Sequence, residues 1–332
     1  MDRPAHARAG FGLLWRSLHL WWYSFKTAFP LGAVAYSWYF LTAIWWGLLG
    51  LFLVLSLRQG IPLLGALPIP GWLRWLEVHR IGLGFVALGW TPIAFMGLAQ
   101  SLVVAGSLTR LAISALDHLP ERSPSAQRQA GLRRGALLHL TMQTGLSLLL
   151  FGLVLVILGG ALLALILSIT AGWTVASSQG AINADAVGSS VLQVGLISAG
   201  AIGVLVIAWP LLWVVSRWWV AEVIVVVDPE ALASTSPFES WELSQGSVSK
   251  ILAVVVAMSV MTLSLQVGLI GLPLWLSQAW EGGGLTDSMR LVAVVLAWIL
   301  GGGLTLPLWQ NLKAAVYLDL CTRRSLEDPS EV

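Results

Sequence analysis

Residues 251–276 read I-L-A-V-V-V-A-M-S-V-M-T-L-S-L-Q-V-G-L-I-G-L-P-L-W-L, and no Asp, Glu, Lys or Arg interrupts the run between Lys250 and Glu281. About 20 apolar residues in a helix cross a hydrocarbon layer of about 30 Å. Five more stretches share this property, bracketed by Lys26 and Arg58, Arg80 and Arg110, Arg134 and Asp185, Asp185 and Arg217, and Arg290 and Lys313. They predict spans at 31–57, 81–108, 143–170, 190–216, 251–276 and 291–312. Backbone groups in lipid must bond within their own segment, so these spans are expected to be helices. The expected fold is an all-α polytopic bundle of six transmembrane helices, with residues 1–332 forming one integral membrane domain.

Composition agrees. The chain has 332 residues, of which 57% are hydrophobic and only 10% charged, with a mean hydropathy of +0.83. Soluble domains carry about 25% charged residues. The stretches between spans are too short for a large soluble domain. A single cysteine, Cys321, excludes an internal disulfide and a thiolate metal cage. Arg16, His19 and Lys26 interrupt the apolar pattern near the N-terminus, which is therefore not read as a cleaved signal peptide.

The cations set an orientation. Fourteen of the 18 Lys and Arg residues fall on the side holding both termini: Arg3, Arg8, Arg16, Lys26, Arg110, Arg122, Arg128, Arg133, Arg134, Arg217, Lys250, Lys313, Arg323 and Arg324. The opposite side holds Arg58, Arg74, Arg80 and Arg290, and the 171–189 loop has neither Lys nor Arg. Positive charge is retained on the cytoplasmic side, which places both termini and the 313–332 tail there. The expected location is a bacterial cytoplasmic (inner) membrane. Many of the 19 tryptophans sit near span ends, among them Trp21, Trp22, Trp213, Trp219 and Trp309, where indole rings favour the headgroup layer. Trp38, Trp45, Trp46 and Trp298 fall inside spans and are expected to pack in the bundle.

Before the first span, Phe11, Trp15, Leu18, Trp22, Phe25 and Phe29 recur at steps of four and three, opposite Gly12, Arg16, His19, Tyr23 and Lys26. Residues 11–29 therefore predict an amphipathic helix, either lying among the headgroups or packed on the bundle, with Pro30 ending it. Polar or amphipathic segments also precede spans three and five, at 125–140 and 231–249. Each feeds a helical hairpin, a pattern suggestive of three hairpin repeats. Gly145, Gly152 and Gly159 share one face of span three, and Gly195, Ala199 and Gly203 one face of span four, as close helix packing requires. Pro92, Pro210, Pro273 and Pro307, with a soft point at Gly301–Gly303, read first as ordinary membrane-helix residues and second as broken helices of a transport site.

Chemistry is sparse. His6, His19, His79, His118 and His139 are scattered without ligand spacing, no phosphate-binding loop carries its lysine, and no serine sits in a nucleophile elbow. No enzyme, cofactor or metal is expected. Gln143, Gln193, Gln266 and Asn311 lie in spans, where interhelical hydrogen bonding is their ordinary role. Arg217 and Glu222 flank an apparent extension of span four. Five residues apart on one helix, they diverge by about 140°, so each would need a partner from elsewhere if buried; otherwise both rest at the interface.

Two segments carry a resemblance: S-P-F-E-S-W-E-L-S-Q-G-S-V-S-K-I-L at 236–252, and P-L-W-Q-N-L-K-A-A-V-Y-L-D-L-C-T-R-R-S-L-E-D at 307–328. Together they resemble the six-helix membrane domain fused to some bacterial glycerophosphoryl diester phosphodiesterases, which also occurs alone as an uncharacterised membrane protein. Ser240, Trp241, Leu243 and Gly246 match the family's amphipathic S-W-x-L-x-x-G segment, and Tyr317, Asp319, Leu320 and Arg323 match its Y-x-D-L-R-x-R tail. Cys321 replaces the tail's first arginine, and acidic Glu239 stands where a basic residue is common. The phosphodiesterase activity belongs to a separate soluble barrel of about 250 residues, for which this chain has no room. His79-Arg80-Ile81-Gly82 is only a faint echo of it. The resemblance and the lack of chemistry imply a non-enzymatic scaffold or accessory subunit that contacts membrane lipids and a protein partner on its cytoplasmic face, and no nucleic acid. The alternative is a transporter or channel for a small amphiphile, with a cavity lined by Gln193, Gln266 or Asn311.

Overall fold

The computed structural model describes residues 10–60, 70–116, 123–155, 209–279 and 287–327. Ten helical segments occur among them: α1 (Gly10–Gly60), α2 (Gly71–Val78), α3 (Arg80–Leu116), α4 (Ser123–Leu132), α5 (Arg134–Leu155), α6 (209–217), α7 (Ala221–Val227), α8 (Ser236–Leu243), α9 (Val248–Ala279) and α10 (Asp287–Glu327). No strand occurs among the described residues. Six stretches, with α6 and α7 counted as one, are long and apolar enough to cross a membrane. The architecture is an all-α polytopic bundle.

Several boundaries differ from the sequence expectation. Pro30 does not end a helix; α1 runs through it for 51 residues, about 77 Å at 1.5 Å per residue. A proline deletes one backbone hydrogen bond and crowds the preceding turn. Here a stripe of mostly small residues, Leu13, Ser17, Ala28, Gly32, Ala35 and Thr42, is buried on both sides of it. Docking of both halves offsets the local penalty, and Pro30 itself faces outward. The face buried by residues 11–29 matches the predicted one only in part: Leu18 packs on the core and Phe29 against Gly303, with His19, Tyr23 and Lys26 exposed. Trp15 and Trp22 are exposed, at 68% and 73%, while Leu13 and Ser17 pack inward. Trp21 turns inward too, donating its indole N–H to the Leu304 carbonyl at 3.0 Å. Of the two readings left open, packing on the bundle holds for this face.

α1 and α3 pack antiparallel. The Trp90 indole donates to the Leu41 carbonyl at 3.0 Å, Thr42 Oγ1 to the Ala94 carbonyl at 2.8 Å, and the Trp45 indole to Thr91 Oγ1 at 3.1 Å. A methyl at Gly97 would lie 2.5 Å from the Trp38 carbonyl oxygen. On the other flank of α1, a methyl at Gly302 would fall 1.9 Å from the Tyr36 ring. Gly302 and Gly303 are thus a buried seat for α1, and Gly301 one for α9, inside the uninterrupted α10, not a soft point. Lipid supplies no hydrophobic drive between helices, so close backbone approach and interhelical hydrogen bonds must hold them. Thr109 of α3 supplies one such bond, donating to Gln310 Oε1 of α10 at 2.9 Å. Trp46 departs from the expected packing role and is 53% exposed.

Helices also outrun their predicted spans. Arg110, expected in a loop, lies within α3, and the expected tail after 312 continues α10 to Glu327. The extension of span four is not one helix: the chain turns at 218–220, between α6 and α7. Gly152 of α5 meets Leu211 of α6 as a packing glycine should, whereas Gly145 has nothing within 4 Å of its would-be Cβ. Gly159, Gly195, Ala199, Gly203 and Gln193 lie outside the described residues, as do the predicted span parts 156–170 and 190–208.

A hydrophobic cluster closes one end of the bundle, here termed the base. Leu13 of α1, Ala112 and Ile113 of α3, Val220 and Val223 beside α7, Ile251 and Met258 of α9, and Leu312 and Val316 of α10 all belong to it. The start of α1, the ends of α3 and α10 and the start of α9 therefore meet at one end.

Candidate functional site

The site is built around α7, whose sequence A-E-V-I-V-V-V is apolar on every side but one. Val223 and Val225 are fully buried, and Val226 and Ala221 nearly so. A helix of this kind must lie inside protein or lipid. Its last carbonyls then have no intrahelical donor and no water. Two arginines supply the missing donors. Arg110 Nη1 donates to the Val226 carbonyl at 2.8 Å. Arg133, at the turn between α4 and α5, donates Nε to Val225 at 3.0 Å, Nη1 to Pro229 at 3.0 Å and Nη2 to Asp228 at 3.3 Å, and Nη2 also reaches Ala231. The guanidinium fork suits this task because its five N–H groups radiate in one plane. Cations at a helix C-terminus also meet the negative end of the helix dipole. In the sequence these arginines registered only as indicators of orientation.

Glu222 is the polar side of α7. Its Oε2 pairs with Lys313 of α10, with both side chains over four-fifths buried. Lys313 Nζ also sits 5.4 Å from the Trp219 ring centroid, and Trp219 stands edge-on to Trp309 at 5.1 Å. Glu222 Oε1 is buried without a hydrogen-bond partner. Arg217 lies at the end of α6, with its guanidinium 5.1 Å from the Trp213 ring and 4.9 Å from the Trp241 ring. It donates Nη1 to the Trp241 carbonyl at 3.1 Å, while Ser240 Oγ donates to the Arg217 carbonyl at 2.6 Å. Each of the two singled-out charges thus has a partner from another element, and the turn at 218–220 removes the single-helix geometry assumed for them.

The two motif segments converge. α8 carries Ser240 and Trp241. Leu243, at its end, packs against the basal cluster together with Tyr317 of α10. The turn from α8 to α9 passes through Gly246 at φ +71, a left-handed conformation that disfavours other residues. Ser247 follows, and its hydroxyl accepts from Arg323 Nη1 at 3.4 Å. Asp319 holds Arg323 one turn away at 2.8 Å, as the i,i+4 spacing anticipates. Tyr317 lies within side-chain hydrogen-bonding reach of Cys321. Between the α8–α9 turn and the end of α10 is a cleft of about 480 Å³, lined by Glu242, Leu243, Gly246, Ser247, Arg323 and Arg324 among others. Phe238 of α8, 71% exposed, lines a separate cavity with Gln143, Thr144, Ser147, Trp218 and Trp241.

Among the described residues no three His, Cys, Asp or Glu side chains group to hold a metal ion. Asn311 is buried. With its amide oxygen toward the Trp21 backbone N–H at 3.2 Å and its nitrogen toward the Pro307 carbonyl at 3.3 Å, it ties α10 to α1. Gln266 lies beside Gly301, its Cγ 3.6 Å from where a methyl there would sit. Arg110, Arg133, Lys313 and Trp219 are the residues that sequence reasoning did not single out. The available signal was the acidic and apolar run from 221 to 231, which demands counter-charges and carbonyl donors. No family model, curated protein or solved structure matches this chain.

Proposed function

We propose that this chain is a non-enzymatic scaffold or accessory subunit of a bacterial inner membrane, with both termini and the base in the cytoplasm. The reading retains the standalone membrane domain that the 236–252 and 307–328 segments resemble. Its partner is a protein that docks in the basal cleft, and membrane lipids surround the bundle. The observation that carries it is the convergence of those two segments, more than fifty residues apart in sequence, on one polar cleft. The Lys and Arg asymmetry supports a cytoplasmic base. The engagement of Asn311 in helix packing favours this role over transport through a path lined by that residue.

Affinity purification of the full chain in mild detergent tests it, with Arg323→Glu and Arg324→Glu variants, both in the cleft lining, alongside. A stoichiometric protein partner lost in the variants is expected. No partner, together with solute uptake by liposomes containing the purified chain, would overturn it.

A further inference from the structure

α5 stands beside two cavities that meet at one residue. The larger, about 440 Å³, lies between α1, α3 and α5 and is walled by Trp45, Trp46, Phe95, Leu98, Met142 and Leu146, among others. Its size and aromatic lining are those of a ligand pocket. The smaller, about 180 Å³, is lined by Thr141, Thr144, Trp218, Trp219, Glu222 and Lys313, among others. Thr141 belongs to both. The apolar cavity faces the middle of the charge-free run of α1, between Lys26 and Arg58. Lys313, in the polar one, is the first charge after the run of α10 that begins beyond Arg290. An apolar compartment toward the bilayer centre thus adjoins a charged one at the base, with Thr141 in the wall of both.

The polar compartment selects its ligand by charge. Glu222 and Lys313 already neutralise each other, so a purely anionic or cationic head would leave a net buried charge, which is costly. A zwitterion adds none and gives each of the two a second partner. Glu222 Oε1 has no hydrogen-bond partner. Thr141 and Thr144 direct their hydroxyl protons to the Leu137 and Leu140 carbonyls, at 2.9 and 2.8 Å, which leaves oxygen lone pairs as acceptors. These acceptors call for a ligand N–H. A primary ammonium supplies it; a quaternary ammonium does not.

We propose that this double cavity binds one zwitterionic phospholipid with an ethanolamine-type head: its ammonium at Glu222 and the threonine oxygens, its phosphate at Lys313, and an acyl chain in the aromatic groove. The proposal rests on the reading of the chain as a lipid-contacting membrane protein, and names the lipid.

The delipidated full-length chain in detergent is titrated with phosphatidylethanolamine, phosphatidylcholine and phosphatidylglycerol of one acyl composition, and native mass spectrometry scores the one-lipid adduct. Phosphatidylethanolamine is expected to bind tightest. Glu222→Gln is expected to weaken that binding by about thirtyfold or more and to abolish the preference. Gly145→Trp places an indole on the groove wall, where a Cβ meets nothing within 4 Å. It is expected to weaken all three lipids by about tenfold or more without lowering the melting temperature, and it keeps the test open should Glu222→Gln misfold. Equal or tighter binding of either other lipid overturns the proposal, as does unchanged binding in Gly145→Trp. An absence of any adduct overturns it too. None of these outcomes bears on whether a protein partner co-purifies, so the lipid inference and the accessory role fail separately.

Discussion

Replacing Arg133 by methionine keeps much of the side chain's length and removes every donor. Four backbone carbonyls then lose a partner: Val225, Asp228, Pro229 and Ala231. Asp228 and Pro229 are exposed and can turn to water, but Val225 is fully buried and Ala231 only 7% exposed. Each buried acceptor left unsatisfied costs about 1–3 kcal/mol, so the two together cost about 2–6 kcal/mol. Loss of the cation at the α7 C-terminus adds about 0.3–1 kcal/mol. The neighbour Arg134 is exposed, and Arg134→Gln should stay within about 0.5 kcal/mol of the parent. Arg133→Lys should fall between, since an ammonium restores charge and up to three donors but not the planar fork. The assay is thermal unfolding of the purified chain in one detergent, followed by light scattering and intrinsic fluorescence. The expected order of melting temperature is parent, Arg134→Gln, Arg133→Lys, Arg133→Met, with several degrees across the series. If Arg133→Met melts with Arg134→Gln, the carbonyls of α7 do not depend on this cap.

Gly97→Ala should destabilise by about 1–3 kcal/mol, because its methyl meets the Trp38 backbone at 2.5 Å, whereas Gly47→Ala, with open space around it, should be near neutral; paired melting curves decide. Breaking the Glu222–Lys313 pair from one side by Lys313→Met should cost about 3–5 kcal/mol, and joint replacement by Glu222→Gln and Lys313→Met appreciably less than the two single losses combined, as a double-mutant cycle in denaturant will reveal. Gly246→Ala should lose about 1–2 kcal/mol through backbone strain alone, since nothing crowds its Cβ, and Gly246→Asn should recover part of it in the same measurement.

The apolar helices were legible because charge-free length is a physical requirement of the bilayer. The predicted spans 31–57, 81–108, 251–276 and 291–312 fall inside described helices, whereas 156–170 and 190–208 of the other two lie outside the described residues. The motif residues Ser240, Trp241, Asp319 and Arg323 were legible as local patterns, and the Asp319–Arg323 pair follows from helical spacing alone. Continuity through Pro30 was not. Propensity marks a stop there, and only the burial of Ala28 and Gly32 against other helices reverses it. The turn at 218–220 was equally hidden, since Trp218, Trp219 and Val220 continue an apolar run without Gly or Pro. The burial of α7, the caps from Arg110 and Arg133, and the pairing of Glu222 with Lys313 join residues roughly 90 or more apart. Such pairings are set by packing, which a single sequence does not display.

Sidedness is tested most directly with single cysteines in a Cys321→Ser background: Lys250→Cys at the exposed start of α9, on the base, and Gly71→Cys at the exposed start of α2, at the other end. Intact cells are treated with a membrane-impermeant maleimide before and after lysis. A polytopic bundle with a cytoplasmic base predicts labelling of Gly71→Cys in intact cells, and of Lys250→Cys only after lysis. Labelling of Lys250→Cys in intact cells would contradict it.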